Sequence, residues 1–146
     1  MAGQNVNMGT LNRLRTQLII PSFPELNVMA WNLGKAGMTF TPQGQSTLML
    51  PTMTGQATSP EPYMPFMLHV PLLKTQSLCE LFIAKIESLA TIGDCTLYVD
   101  SSAIHARNLQ NCAIETMESI TANGQVIEVG FTINGTWAIN SSLYTL

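Results

Sequence analysis

From Arg13 to Ile20 the run RLRTQLII is rich in β-favouring side chains and closes at Pro21, which predicts a first strand with order beginning near Leu11. Pro21 and Pro24 fix φ and restrict the residues before them, so an extended loop is expected, followed by LNVMAW as a short strand or irregular edge. Gly34 and Gly37 bracket a turn. Period-two alternation then runs through MTFTP and STLML, joined at Gln43 and Gly44 as a predicted hairpin. The next stretch, PTMTGQATSPEPYMP, has four prolines, one glycine and no apolar period. It predicts an irregular loop over residues 51–65, longer than most connections, and long loops in compact domains are usually functional.

Phe66–Leu73, FMLHVPLL, reads as a strand whose Pro71 lacks a ladder donor, which predicts an edge or a bulge there. Ser77 and Glu80 have the spacing of a capping box, and Leu78, Leu81, Phe82, Ile86 and Leu89 share one arc at 3.6-residue periodicity. One helix is expected over residues 76–91, stopped by Gly93. Glu80 and Glu87 lie opposite that arc, and Lys85 falls inside it, where its head is expected to snorkel to water. CTLYVD, CAIETMESI, VIEVGFTIN and TWAIN follow as four β-like runs, with hairpin signals at Asn123-Gly124 and Asn134-Gly135. The fold class predicted is mainly β: a single domain over residues 1–146, with two packed antiparallel sheets in a sandwich or barrel-like layout and one flanking helix. Residues 1–10 are expected to form a flexible N-terminal arm or one ordered only by a neighbour, and the C-terminal residues 140–146, polar or mixed, are expected to fray or to be ordered by a neighbour.

Composition changes this picture in one respect. Apolar residues make up 46% of the chain and charged ones only 10%, against roughly 25% charged in ordinary soluble domains. A surface so poor in charge points to obligate assembly. Six basic and nine acidic residues give a net charge of -3 without a basic stripe, so tight nucleic-acid binding is disfavoured. No window approaches the roughly 20 apolar residues of a membrane helix, and the N-terminus has no secretory h-region, so no membrane anchoring is expected and synthesis is expected in the cytoplasm.

Catalytic chemistry is not indicated. Cys79, Cys95 and Cys112 lack CxxC or Cys/His spacing and read as reduced packing residues. His69 and His105 have no spaced acidic or thiol partner, and neither phosphate-binding glycine pattern is present. Glu115 and Glu118 fall on opposite faces of one strand, and Glu128 shares a face with Val126 and Gly130 on the next, so no carboxylate pair is predicted. The expectation is a protein without catalytic residues, metal or cofactor.

The stretches NVNMGTLNRLR, PTMTGQATSPEPY, PLLKTQSL, IGDCTLYVD and NCAIETMESITANGQVIEVGFTINGTWAINSSL together resemble the tail tube proteins of tailed bacteriophages. The resemblance implies a subunit of the virion tail that forms stacked, hexameric rings, closing one sheet of each copy into a β-barrel around a lumen. It implies the chain itself as principal partner, the tape-measure protein inside, a sheath outside if the tail is contractile, baseplate and terminator proteins at the ends, and double-stranded DNA passing through without tight binding. A long loop would reach the next ring, and Thr52, Thr54, Gln56, Thr58, Glu61 and Tyr63 are the inter-ring contacts so implied. Glu115, Glu118 and Glu128 are the lumen-facing acids so implied, since a lumen that lets DNA slide must not grip phosphates. Terminators, baseplate rings and secretion tubes use the same fold, and a small ligand-binding β-domain is the alternative from another class.

Overall fold

Eight strands, one helix and four 3-10 turns make up residues 6–146, the part of the chain that the computed structural model describes. The strands are β1 (Gln17–Ile19), β2 (Thr39–Pro42), β3 (Thr47–Pro51), β4 (Gln56–Pro60), β5 (Tyr63–Leu73), β6 (Thr91–Tyr98), β7 (Arg107–Met117) and β8 (Glu128–Ala138), with α1 at Ser77–Ser88. Six of them form one antiparallel sheet in the order β1-β6-β7-β8-β5-β2, and β3 and β4 form a separate two-stranded sheet. The mainly β class with one flanking helix therefore holds. Of the predicted N-terminal arm, residues 1–5 lie outside the described residues, and residues 6–10 are exposed and outside regular structure.

The six-stranded sheet curls around its own core. Phe40 and Leu68 from one side of the sheet and Leu97 and Val99 from the other line a common cavity of about 180 Å³. The segment between β1 and β2 stitches the curl together, because Val28 bridges to Leu18 of β1 and Leu33 bridges to Leu72 of β5. Edges that would otherwise offer unpaired backbone groups are thus partly covered by irregular chain. This is why LNVMAW contributes isolated bridges and two 3-10 turns, Pro24–Leu26 and Ala30–Asn32, in place of a strand. The predicted turn at Gly34 closes through Gly37 N–H donating to Gly34 O at 3.0 Å.

β5 is central, with an unbroken register against β8 and with β2 on its other side, so Pro71 marks neither an edge strand nor a bulge. The reason lies in which side of the strand each proline turns. β2 covers only Phe66 to His69. Pro65 O accepts from Gln43 N–H at 2.7 Å and Pro71 O from Gly34 N–H at 2.9 Å. In an antiparallel ladder a residue's N–H and C=O point to the same side. Both missing donors therefore face the side where β2 has ended, and no ladder bond is lost.

Along β5 the even-numbered residues Met64 to Leu72 are buried, and along β8 Val129, Phe131 and Ile133 are buried, which is the alternation of a sheet with one face on the core. The helix closes that core. Leu78, Cys79 and Phe82 are buried, and the Phe82 ring packs on Phe131 with centroids 5.3 Å apart. Complete burial of one such aromatic stabilises the fold by about 1.5–3 kcal/mol. Glu80 in the first turn and Lys85 in the last suit the helix dipole. Ser77 does not cap the helix: Gln76 is the N-cap and makes no side-chain cap bond. Helix hydrogen bonding ends with Leu89 N–H donating to Lys85 O, well before Gly93, which lies within β6. Leu81 and Leu89 are exposed, so the apolar arc is narrower than their spacing predicts.

Lys85 is placed by an aromatic ring. Its Nζ lies 3.5 Å from the Phe23 centroid, where the negative face of the ring attracts the ammonium. A Lys85→Gln substitution keeps most of the stem and loses the cation, and is expected to lower stability by about 1 kcal/mol in urea titration. A Lys85→Arg variant, which keeps charge and ring contact, is expected to recover most of it.

Two predicted hairpins are rearranged. MTFTP and STLML become β2 and β3 but do not pair with each other; β2 pairs with β5, and β3 with β4. Asn134-Gly135 turns nothing, because VIEVGFTIN and TWAIN merge into the single strand β8. Asn123-Gly124 does lie in the connection between the antiparallel pair β7 and β8.

Candidate functional site: the projecting arm and the open sheet face

No Asp, Glu, Lys, Arg or His occurs between Lys35 and Glu61. Within this uncharged run the chain forms an arm in place of the predicted irregular loop. β3 and β4 pair from Thr47↔Pro60 to Pro51↔Gln56, and Thr52 N–H donates to Gly55 O across the tip at 2.8 Å. The prolines are tolerated because they stand at strand ends, Pro51 beside the tip and Pro60 at the base. Period-two alternation divides the arm into a face carrying Leu48, Leu50, Ala57 and Ser59 and a face carrying Thr47, Met49, Gln56 and Thr58.

The arm packs on little of the rest of the molecule. Residues 48–58 are exposed without interruption. Leu48, Met49 and Leu50 are 43%, 46% and 45% exposed, and Met53 at the tip is 102% exposed. A two-stranded hairpin alone in water is marginally stable at best, and this one carries exposed large apolar side chains on both faces and at its tip.

Sequence-selected residues distribute along it unevenly. Thr52 and Thr54 are in the tip, Gln56 and Thr58 on β4, and Glu61 at the base, while Tyr63 already belongs to the main sheet opposite Ala138. The large apolar residues Leu48, Met49, Leu50 and Met53, exposed on the arm, are not among the residues selected from the sequence. The signal that could have found them is the uncharged run itself, in which three large apolar side chains stand consecutively.

The second surface is the face of the six-stranded sheet turned away from the core. Across its middle run Gln110, Thr136 and Pro65, then Ala113, Asn134, Met67 and Thr41, then Thr116, Thr132, His69 and Thr39. Uncharged polar side chains dominate. Arg107 is the one Lys or Arg within the six strands, and it stands opposite the core residue Leu97, on the other face.

Acidic groups gather at one end of this sheet. Glu118 and Glu128 lie at the β7–β8 end, and Glu115 is exposed near an irregularity in β7 pairing. His69 Nε2 meets Glu118 Oε1 at 2.8 Å, with side chains 38% and 60% exposed. The pair crosses above Gly130, where a Cβ would lie 2.5 Å from the Glu118 carboxyl carbon and 2.6 Å from His69 Nε2. Sequence spacing does not reveal this contact, since 49 residues separate the partners. The carboxylate of Glu128 presses on Gly34 and has no ion-pair partner among the described residues.

The three thiols are free and buried, as packing residues should be. Hydrogen bonding with Cys95 and then burial push the Cys112 thiol well up, and burial pushes Cys79 up. Both are thereby held away from the thiolate form that nucleophilic chemistry requires. Among the described residues no group of three His, Cys, Asp or Glu side chains is placed to hold a metal ion, and no helix is long and apolar enough to cross a membrane. An open cleft of about 450 Å³ is lined by Arg13, Trp31, Lys35 and Asp100 among others. No protein-family model matches the chain, and no curated protein sequence is similar to it.

Proposed function

We propose that this chain is a self-assembling structural subunit of the phage tail tube type, in which copies form rings and the rings stack through the arm. The observation that carries this reading is the two-stranded arm, exposed throughout residues 48–58 and bearing Leu48, Met49, Leu50 and Met53 at its surface. A second copy is the natural cover, because one surface meeting a different surface on the next copy propagates into rings and filaments. The open sheet face, with no Lys or Arg directed onto it from the strands, is the surface we assign to the lumen. Glu115, Glu118 and Glu128 would stand toward one end of it, a charge sign that repels phosphates. In this reading a tape-measure protein and DNA occupy the lumen in turn, a sheath covers the outside if the tail is contractile, and baseplate and terminator proteins close the ends.

Negative-stain electron microscopy beside light scattering, on concentrated protein, tests the reading. Hollow filaments or stacked rings are the expected result. Closed rings that never stack would shift the assignment to a terminator or baseplate ring, and a monomer at every concentration would overturn it.

A further inference from the structure

Asn140 ties the arm to the end of the sheet. It stands between β8 and the 3-10 turn Ser141–Thr145 with φ 50° and ψ 46°, a left-handed conformation that asparagine tolerates better than most residues. From there its Nδ2 donates to Ser46 O and to Glu61 O, both at 2.8 Å. Ser46 and Glu61 are the two feet of the arm, joined to each other by Glu61 N–H donating to Ser46 O at 3.0 Å. A side-chain amide has two N–H donors. Both are used here, one on each foot, by a residue 94 and 79 positions away in sequence. Next to it, Ile139 N–H donates to Pro62 O at 3.2 Å, carrying the attachment into the sheet.

Without this clamp the arm would be joined to the sheet through backbone bonds on either side of its feet, Gln43 N–H to Pro65 O and Ile139 N–H to Pro62 O, with Ser46 and Glu61 themselves untied from the sheet. Fixing such a segment at the moment of association costs conformational entropy, and a segment held beforehand in its docking direction avoids that cost. We infer that Asn140 is the positioning residue of the arm, holding it in the direction in which it meets a neighbour. The inference rests on the reading of the arm as the stacking element.

Two substitutions separate the amide from the backbone. Asn140→Asp keeps the size and the tolerance of left-handed backbone but removes both donors, and Asn140→Gly keeps the conformation and removes the side chain. Hydrogen exchange read by mass spectrometry, on the full chain at a concentration where it is unassembled, is expected to show amides of residues 47–60 exchanging about tenfold faster in both variants, the effect of losing two ordinary hydrogen bonds. Amides of β5 and β8 are expected to keep their wild-type rates. The concentration at which light scattering first reports assembly is expected to rise about tenfold. Unchanged exchange in the arm, equal acceleration in β5 and β8, or an unchanged onset of assembly would each overturn the inference. A wild-type chain that never assembles would refute the stacking reading, while the exchange comparison would still decide whether Asn140 holds the arm.

Discussion

A Leu48→Asp/Leu50→Asp double variant is expected to remain folded and to lose assembly. The two side chains share one face of the arm with Ala57 and Ser59, and each is already close to half exposed in the isolated subunit. Placing carboxylates there exposes little new apolar surface and opens no cavity, so the folding cost is about 1 kcal/mol or less, as for other surface substitutions. Covering those carboxylates with a neighbouring copy is a different matter. An unpaired charge buried in an interface costs about 3–5 kcal/mol, so association is expected to weaken at least about a thousandfold. Light scattering gives the association and circular dichroism the fold. Wild-type assembly by the double variant would show that this face is never buried, and loss of the fold would show that the arm belongs to the core. Met49→Asp, on the opposite face beside Thr58, asks which side of the arm is covered.

The two surfaces were not equally visible in the amino-acid order. The β-favouring composition of FMLHVPLL and VIEVGFTIN located most of β5 and β8, strands that each bury one side on the core. What period two cannot report is the partner of a strand. MTFTP and STLML are adjacent and were expected to pair, yet their pairing is decided at long range: Phe40 of β2 stacks on Phe66 at 5.2 Å and meets Trp137 edge-on at 5.7 Å. Those aromatic contacts draw β2 onto β5 and leave β3 to pair outward with β4. The prolines in residues 51–65 argued against regular structure, but a short ribbon accommodates them at its ends. At the candidate site, the uncharged arm was present in composition, whereas the His69–Glu118 contact and the Asn140 clamp depend on sheet register and on one left-handed residue. Neither has a local sequence signal.

Gly135 and Gly130 make opposite cases for the same substitution, and the difference tests the packing of β7 on β8. A Cβ at Gly135 would lie 2.8 Å from Gln110 O, 2.9 Å from Cys112 Sγ and 3.1 Å from Cys112 Cα. Two of those three atoms are backbone, at the point where β7 pairing shifts between Gln110 and Ala113 and Asn111 takes a φ of 52°. Backbone held by a ladder on both sides cannot retreat without breaking register, so Gly135→Ala is expected to cost about 2–3 kcal/mol by overpacking. Thermal melting should then fall by roughly 10 °C. At Gly130 the crowding atoms are the ends of the exposed Glu118 and His69 side chains, which can swing into water. Gly130→Ala should break that ion pair and cost only about 0.5–1 kcal/mol, the worth of an exposed pair. Equal melting temperatures for the two variants would mean that the β7 irregularity yields as easily as a side chain, and that Gln110 to Ala113 are not held where the ladder places them.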